Sequence, residues 1–568
     1  MVRVSLQATM APKTQGHHHG ASHLVHSHAH EEDIPGTVNL QVIEGDDSAL
    51  GQALFPVPNP NDPNDPLQWS NFKKTMILII CSFYSFLANA ALIGPSPYID
   101  IWAEEFGISP TVASQLISYP NLAFGFGSLI LVPLYLKIGR RPVMLISLIS
   151  FCAGLIGASQ CKSYGGLMAA RVIHGFGSSV CEALPVQLVN DIFFLHERGE
   201  RIGYYTVCLC LGTFAALPAG YMLAGGYGWT LFFYVEFAFG MALLILALFF
   251  VEETSYDRKA AMAIPTPPIE SEKIGGEEIE GGSPRPNLEG TLARKSFVQT
   301  LSLWGRIDHE VPFFTMQWRS FTYFLVPQAL WVIASFGINI GLLALAYSYT
   351  FPILIVQPPY NWSVVGEPRP RLETVLTCRQ TSSGLFAIAA IIGYGLAVPF
   401  TSSSDRLAAY FTRRNNGVRE AEMRLGVMLP AMIIGPVGII IYGFTAEKGL
   451  HWVCFFVGGA MSYWAAYFYF SFTLAYAVDS YHANTSEMLI AMNLGKQAIS
   501  FGFGLKLLTW VTESGYAVVM SGIFGGVLLA NNLALLVFML FGKRIRKFMS
   551  ETWLARLHSS SIREVVSH

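Results

Sequence analysis

The chain alternates long apolar runs with short polar connections over most of its length. The hydrocarbon core of a bilayer is crossed by about 20 apolar residues in a helix. Windows of that kind lie near residues 75–98, 112–136, 142–160, 166–192, 202–224, 229–252, 325–352, 382–403, 426–446, 452–479, 487–511 and 516–542. We therefore expect an all-α membrane protein in which 12 transmembrane helices form two six-helix bundles.

The positions of lysine and arginine predict how these helices are oriented. Basic residues concentrate on the connections that follow even-numbered spans, beginning with Arg140 and Arg141. Cytoplasmic loops retain such residues, so both termini are expected in the cytoplasm. The resulting segments are a disordered, His-rich tail (1–70), the first bundle (71–252), a cytoplasmic linker (253–324), the second bundle (325–542) and a C-terminal tail (543–568).

Composition agrees with this class and excludes several others. Charged residues make up 13% of the chain and hydrophobic residues 52%, whereas soluble domains carry about 25% charged residues. The eight cysteines form no CxxC pair and lie mostly in apolar runs, which is typical of small core residues. No Walker A sequence or catalytic constellation is present, so we expect neither an enzyme nor a cofactor. A net charge of −2 gives no reason to expect a nucleic-acid partner.

Two features outside the apolar runs have more than one interpretation. Seven of the 14 histidines lie between His17 and His30, either as a metal-sensing tail or as a solvated low-complexity segment. We expect the second and assign no metal site. The sequon at Asn361 falls on a predicted outer loop, where a glycan can be added.

The split into six plus six spans resembles the major facilitator superfamily of secondary transporters. The turn after the second span matches the second half of that family's signature G-x-x-x-D-R-x-G-R-[RK], through Gly139, Arg140 and Arg141. Leu136 stands where the family has an acid. The resemblance implies a gating role for this turn and for the similar turn that carries Asp405 and Arg406.

Further motifs resemble proton-coupled members of that family. Arg171-x-x-x-Gly175 is similar to the signature of the fourth helix, and Leu217-Pro218-Ala219-Gly220 is similar to an antiporter signature in which the proline bends the fifth helix. Residues 62–70, 193–199 and 413–425 resemble fungal twelve-span drug:proton antiporters. The same group includes polyamine and organic-cation transporters, which leaves the substrate open.

Ionisable and aromatic residues at bilayer depth are the candidates for substrate and proton binding. Charged groups there are costly and usually functional. Glu182 lies near the middle of the fourth span and is expected to exchange a proton or to bind a cation. The other candidates are Arg171, His174, Glu236 and Lys496, a possible counter-ion for a carboxylate, together with Tyr463 and Tyr467, which share an aromatic helix face.

These expectations predict a secondary active transporter. Proton-coupled efflux of small organic molecules (drugs, toxins or a fungal secondary metabolite) is the first hypothesis. Proton-coupled uptake of polyamines or other organic cations is the second, and a transporter-like sensor is the third. The expected partners are the substrate, protons and the lipid bilayer, for a monomer in the plasma membrane or, failing that, the vacuolar membrane.

Overall fold

A computed structural model describes residues 37–39, 62–193, 195–256, 295–302, 313–360, 385–401, 403–415, 418–480, 485–554 and 557. Nearly all of these residues lie in helices. We call α1–α9 the first half and α12–α19 the second half, and the end of the molecule that carries residues 62–70 and 251–256 the linker face.

The first half contains nine helices, several of which begin at a serine that caps the helix. Ser70, Ser109 and Ser163 accept hydrogen bonds from backbone N–H groups in the first turns of α1, α3 and α5. The bounds are α1 Asn71–Ile93, α2 Ile99–Phe106, α3 Pro110–Ile138, α4 Arg140–Gln160, α5 Tyr164–Ser178, α6 Ala183–Ile192, α7 Leu195–Leu211, α8 Ala216–Ala224 and α9 Thr230–Phe250.

The second half follows two short helices of the connecting segment, α10 Phe297–Thr300 and α11 Phe313–Thr322. Its helices are α12 Pro327–Ile338, α13 Ala346–Val356, α14 Ala387–Ala397, α15 Ser403–Arg414, α16 Leu429–Lys448, α17 Val453–Ser480, α18 Thr485–Ser514 and α19 Gly525–Ser550. π-Helical turns at Asn339–Leu345 and Ala517–Phe524 join α12 to α13 and lead into α19.

Every predicted span coincides with a helical segment, although several spans are broken. Among the described residues, 9 helical segments are long and apolar enough to cross a membrane, and the bent segment from Phe313 to Ile338 raises the number to 10 if it counts as one span. The apolar segment Ala387–Phe400 is shorter. Helix α18 occupies the eleventh predicted window.

Prolines inside the spans create a hydrogen-bonding problem that neighbouring side chains solve. A proline has no N–H, so the carbonyl four residues before it loses its helical partner, and a bilayer offers no water in exchange. In α16, Pro436 leaves the Met432 carbonyl without a backbone donor. The Asn532 amide donates to that oxygen at 2.9 Å, and Tyr469 donates its hydroxyl to the other end of the same amide.

Parts of the predicted tail and linker are ordered. Residues Thr37–Asn39 form β1, which pairs antiparallel with β2, Val418–Glu420, in a two-stranded sheet. Asp65 caps the turn Pro66–Gln68, and the buried Lys74 amine donates to the Leu67 carbonyl at 2.8 Å. The expectation of a wholly disordered segment 1–70 is therefore wrong at these two places, because local caps and strand pairing satisfy the backbone.

Replacing Asn532 with alanine tests the role of these carbonyl partners. We expect Asn532→Ala to lower stability by about 1–3 kcal/mol, since it leaves a buried carbonyl unbonded. The measurement is thermal unfolding of the purified protein in one detergent. Pro436→Ala restores the backbone donor, so the same asparagine substitution should cost less in that background, and an equal loss in both backgrounds would contradict the assignment.

Candidate functional site

A central cavity lies between the two halves. Its wall is mainly apolar, and aromatic rings from both halves contribute to it, namely Phe124, Tyr205, Phe336, Tyr394 and Phe470. The polar residues of the wall are fewer, namely Asn89, Asn121, Glu182, Thr206, Thr213, Asn493, Lys496 and Gln497. A mostly apolar cavity with a few convergent polar groups is typical of a site for small organic molecules.

An ion pair in the cavity wall joins the two halves. Glu182 of the first half and Lys496 of the second half are in direct contact. The lysine side chain is 1% exposed and the glutamate side chain 19% exposed, so Glu182 is the more accessible member of the pair. The Lys496 amine also lies 5.5 Å from the centre of the Phe124 ring and 5.9 Å from that of Phe336.

A break in the fourth span places Glu182. Helix α5 ends at Ser178, α6 begins at Ala183, and Glu182 is the residue that precedes α6. Pro185 removes the donor that the Cys181 carbonyl would otherwise have. The sequence analysis expected the fourth span, 166–192, to be unbroken, and a four-residue turn instead separates α5 from α6.

Side chains of two neighbouring helices, α1 and α7, form hydrogen bonds with the backbone at this break. Tyr84 and Ser85 of α1 donate to the Gly177 and Cys181 carbonyls at 2.9 and 2.6 Å. Tyr205 of α7 donates to the Glu182 carbonyl at 3.1 Å. The turn is therefore bonded from both sides, which fixes the backbone from which the Glu182 carboxylate extends into the cavity.

A close helix approach positions Lys496. Helix α18 packs along α3, and at Gly125 a Cβ atom would lie only 3.1 Å from the Gln497 Cβ. Because glycine adds no side chain there, α18 can bring Lys496 within reach of Glu182 across the seam. The sequence analysis suggested Lys496 as a counter-ion for a carboxylate, and the structure identifies the carboxylate.

Arg171 lies away from the cavity and bonds the backbone of two other helices. Its guanidinium donates to the Leu116 carbonyl at 2.7 Å and to the carbonyls of Ala91 and Leu92 at 2.9 Å each. Pro120 and Pro95 are the residues four positions after Leu116 and Ala91. The two prolines leave Leu116 and Ala91 without helical donors, and Leu92 lies at the end of α1. Arg171 supplies the missing donors, so this buried charge has a structural role.

The other predicted ionisable residues also lie outside the cavity wall. His174 is fully buried beside the Phe151 ring, and both its ring nitrogens lack a hydrogen-bond partner among the described residues. Glu236 is 6% exposed, and one of its carboxylate oxygens lacks a partner within the same set. The structure brings neither residue to the Glu182–Lys496 pair.

The residues of the predicted aromatic helix face do not all line the central cavity. Tyr463 lines a second, smaller cavity, which shares Thr213 with the central cavity. Tyr467 lies 3.0 Å from the Thr401 hydroxyl, with which it forms a hydrogen bond. Phe470 of the same helix reaches the central cavity.

The comparisons with known proteins agree with this arrangement. Residues 78–505 match the family model of the Major Facilitator Superfamily. The chain belongs to the major facilitator superfamily. An uncharacterized MFS-type transporter of Schizosaccharomyces pombe is 24% identical over 93% of this chain and 95% of its own length. The MFS-type transporter penM of Penicillium rubens is 25% identical over 86% and 88%.

Solved structures show the same fold. The xylose transporter XylE from E. coli, in a partially occluded inward-open conformation, superposes with a TM-score of 0.53 at 14% identity and covers 83% of this chain and 98% of its own. The human organic anion transporter MFSD10 gives a TM-score of 0.50 at 13% identity, with 82% of this chain and 100% of its own covered. The family match and the apolar helices together identify this chain as a multi-pass membrane protein and a transporter.

The signature turn of this superfamily member is bonded by acids from elsewhere in the first half. Gly139 has φ 107°, a conformation that favours glycine, and a Cβ atom there would collide with the Glu253 carboxylate. Glu253 accepts from the backbone N–H groups of Arg140 and Arg141 at 3.0 Å each. The Arg140 side chain lies 3.2 Å from Asp191.

Acids elsewhere in the chain replace the negative charge that Leu136 lacks at the position of the family's acid. Asp191 and Glu253 supply the negative charge, and Arg141 donates to the Leu248 and Ser302 carbonyls at 2.6 and 2.9 Å. The turn therefore holds the end of α9 and part of the connecting segment on the linker face.

The corresponding region of the second half contains a cluster that the sequence analysis missed. Arg406 is exposed, and Asp405 lies in α15 with its side chain outside the described part. Instead, Arg546 at the end of α19 bonds Glu420 and Glu422 at 2.8 Å each. Two features of the sequence indicated this cluster: the motif 413–425 contains acidic residues, and the end of the final helix is basic.

Two predicted features, Asn361 and the histidines of the tail, lie outside the described residues. Pro218 lies in α8, after a 3₁₀ turn at Gly212–Ala215 that breaks the fifth span beside α1. The sequence analysis did not predict three residues that line the cavity, namely Asn89, Asn121 and Tyr205. The available signal was that each is an uncharged polar residue inside an apolar run.

Arg171 variants test the structural role of this residue. Arg171→Met keeps most of the side-chain volume but leaves three buried carbonyls unbonded, at about 1–3 kcal/mol each. We expect a large loss of folded protein, measured by fluorescence-detected size exclusion and thermal unfolding, and a smaller loss for Arg171→Lys. Full stability with lost proton coupling in Arg171→Met would instead place Arg171 in the proton pathway.

Proposed function

We propose that this transporter exports small organic molecules in exchange for protons, as a monomer in the plasma membrane. Glu182 is the group that binds and releases the proton, and Lys496 is its counter-ion. The observation that carries the proposal is the Glu182–Lys496 ion pair, which joins the two halves in the wall of the central cavity.

Protonation of Glu182 changes the stability of the seam between the halves. A neutral carboxyl no longer balances the Lys496 ammonium, and a buried charge without its partner costs several kcal/mol. Movement of the halves relieves this cost by giving Lys496 water or another partner. Because the pair crosses the seam, proton binding and the rocking of the two halves are coupled.

The driving force is sufficient for concentrative export. One proton that moves through a membrane potential of ~100 mV supplies about 2.3 kcal/mol, and a pH difference adds to this. A proton entering at Glu182 from one side and leaving on the other thus drives one substrate in the opposite direction.

The cavity wall indicates the chemistry of the substrate. Aromatic rings such as Phe124, Phe336 and Phe470 offer stacking surfaces, and the amides of Asn121 and Asn493 offer hydrogen bonds. Hydrophobic molecules with a few polar groups suit such a wall. Drugs, toxins and secondary metabolites belong to this class.

A second candidate function rests on the surroundings of the Lys496 amine. It lies between the rings of Phe124 and Phe336 and beside a carboxylate, which is the arrangement that binds an organic ammonium group. A polyamine or another organic cation that displaced Lys496 would find the same contacts. On this hypothesis the chain is a proton-coupled importer of cations.

Transport by reconstituted vesicles with an imposed proton gradient tests the proposal. A panel of hydrophobic drugs and organic cations is offered, and uptake into the acidic lumen is measured. We expect accumulation of uncharged or weakly charged hydrophobic compounds that collapses when an ionophore dissipates the gradient. Accumulation of cations in the opposite direction would favour the importer.

Glu182→Gln is the decisive variant. The amide keeps the size of the side chain but cannot exchange a proton, so we expect gradient-driven accumulation to be lost while exchange of substrate across the membrane continues. Glu236→Gln is the matched control, since Glu236 lies outside the cavity, and it should retain gradient-driven transport. Normal pH-dependent flux in Glu182→Gln would overturn the assignment.

Exchanging the two charges tests the contribution of the ion pair to stability separately from proton binding by Glu182. Glu182→Lys combined with Lys496→Glu keeps one charge of each sign across the seam. We expect better recovery of folded protein from the double variant than from either single variant, each of which buries like charges. The comparison is made by thermal unfolding in detergent.

A further inference from the structure

Helix α11 runs at nearly a right angle to the span that follows it. The segment Phe313–Leu325 meets Pro327–Ile338 at 89°. Pro327 cannot donate to the Tyr323 carbonyl, and the Val326 N–H donates to that oxygen instead, which closes the first segment at the bend. If the second segment crosses the bilayer along its normal, this angle directs the first segment along the plane of the membrane.

The two faces of this segment differ sharply. Phe314 is 80% exposed, Trp318 70%, Phe321 43% and Leu325 61%. Met316, Arg319 and Ser320 are buried on the other side. The exposed residues recur at intervals of three and four, so they form one continuous apolar face on a helix.

The buried face fastens the helix to both halves. Gln317 donates to the Leu129 carbonyl of α3 at 3.2 Å, and that carbonyl is the one that Pro133 deprives of its helical donor. Arg319 lies 3.3 Å from Glu487 of α18. The helix thus crosses the seam where α3 packs along α18.

We propose that α11 is a membrane-surface helix whose Phe314, Trp318 and Phe321 bind the boundary between lipid headgroups and acyl chains. The lipid holds the outer face of the helix, and Gln317 and Arg319 hold its inner face across the seam. The depth of the helix in the membrane surface and the packing of α3 against α18 are consequently linked.

The lipid surface is favoured as the occupant by the position and the charge of this face. The apolar face continues into Leu325 and Leu330, which is 46% exposed on the outside of the spanning helix α12. Tryptophan and phenylalanine with a helix parallel to the membrane are typical of interfacial binding. The only basic residue of α11, Arg319, points inward to Glu487, so the binding should depend on apolar contact rather than on anionic lipids.

Accessibility measurements on spin-labelled protein test this proposal. In a background in which the native cysteines are replaced, Phe314→Cys and Phe321→Cys are labelled separately, and the full chain is placed in nanodiscs of phosphatidylcholine. Collision with oxygen, which partitions into lipid, is compared with collision with a water-soluble nickel chelate. Ser296→Cys serves as the aqueous reference and Ile433→Cys, 70% exposed on a spanning helix, as the hydrocarbon reference.

We expect both α11 labels to give an oxygen-to-nickel ratio between those of the two references, and unchanged when phosphatidylserine is added to the nanodiscs. A ratio equal to that of Ser296→Cys would show that water covers this face. Low accessibility to both reagents would show that protein covers it, and a ratio equal to that of Ile433→Cys would show a re-entrant segment. Each of these three results overturns the proposal, and none depends on transport.

Discussion

The structure depends on one constraint, namely that a carbonyl freed inside the membrane must find a donor on a neighbouring helix. Prolines at positions 120, 133, 185 and 436 each free such a carbonyl, and the donors that replace the lost N–H groups are Arg171, Gln317, Ser85 and Asn532. Polar residues that look functional in the sequence therefore have a structural use. The same bonds fasten one helix to the next, because each donor belongs to a different element from its acceptor.

The candidate site follows from this constraint. Pro185 prevents the fourth span from continuing as a regular helix, and donors from α1 and α7 hold the resulting turn. Glu182 extends from that turn towards Lys496, and within the described part of the chain its carboxylate is bonded to this side chain. Among the charged residues of the spans, the pair differs from Arg171 in that one member can lose its charge by binding a proton. It also joins two bodies that must separate during alternating access.

The sequence predicted the fold well because apolar length and the distribution of basic residues are local properties. It selected Glu182 and Lys496 as candidates because a charge at bilayer depth is unusual. It could not pair them, because 314 positions separate them along the chain and only the packing of α18 on α3 brings them together. It could not show the partners of Arg171 either, because these are backbone carbonyls whose availability depends on prolines outside its own helix. The sequence analysis assigned α11 to the linker because this helix has only 10 residues, which is too short for the apolar window that marks a span.

The central claim is that protonation of Glu182 alters the packing of the two halves, and a distance measurement tests it without a known substrate. Spin labels at Tyr227 and Leu450, which are 69% and 44% exposed on loops of the first and second half, report the separation of the halves away from the linker face. The account predicts that acidification shifts the distribution of distances in the native sequence, whereas Glu182→Gln shows a single distribution at all pH values. A pH-dependent shift that persists unchanged in Glu182→Gln would contradict it.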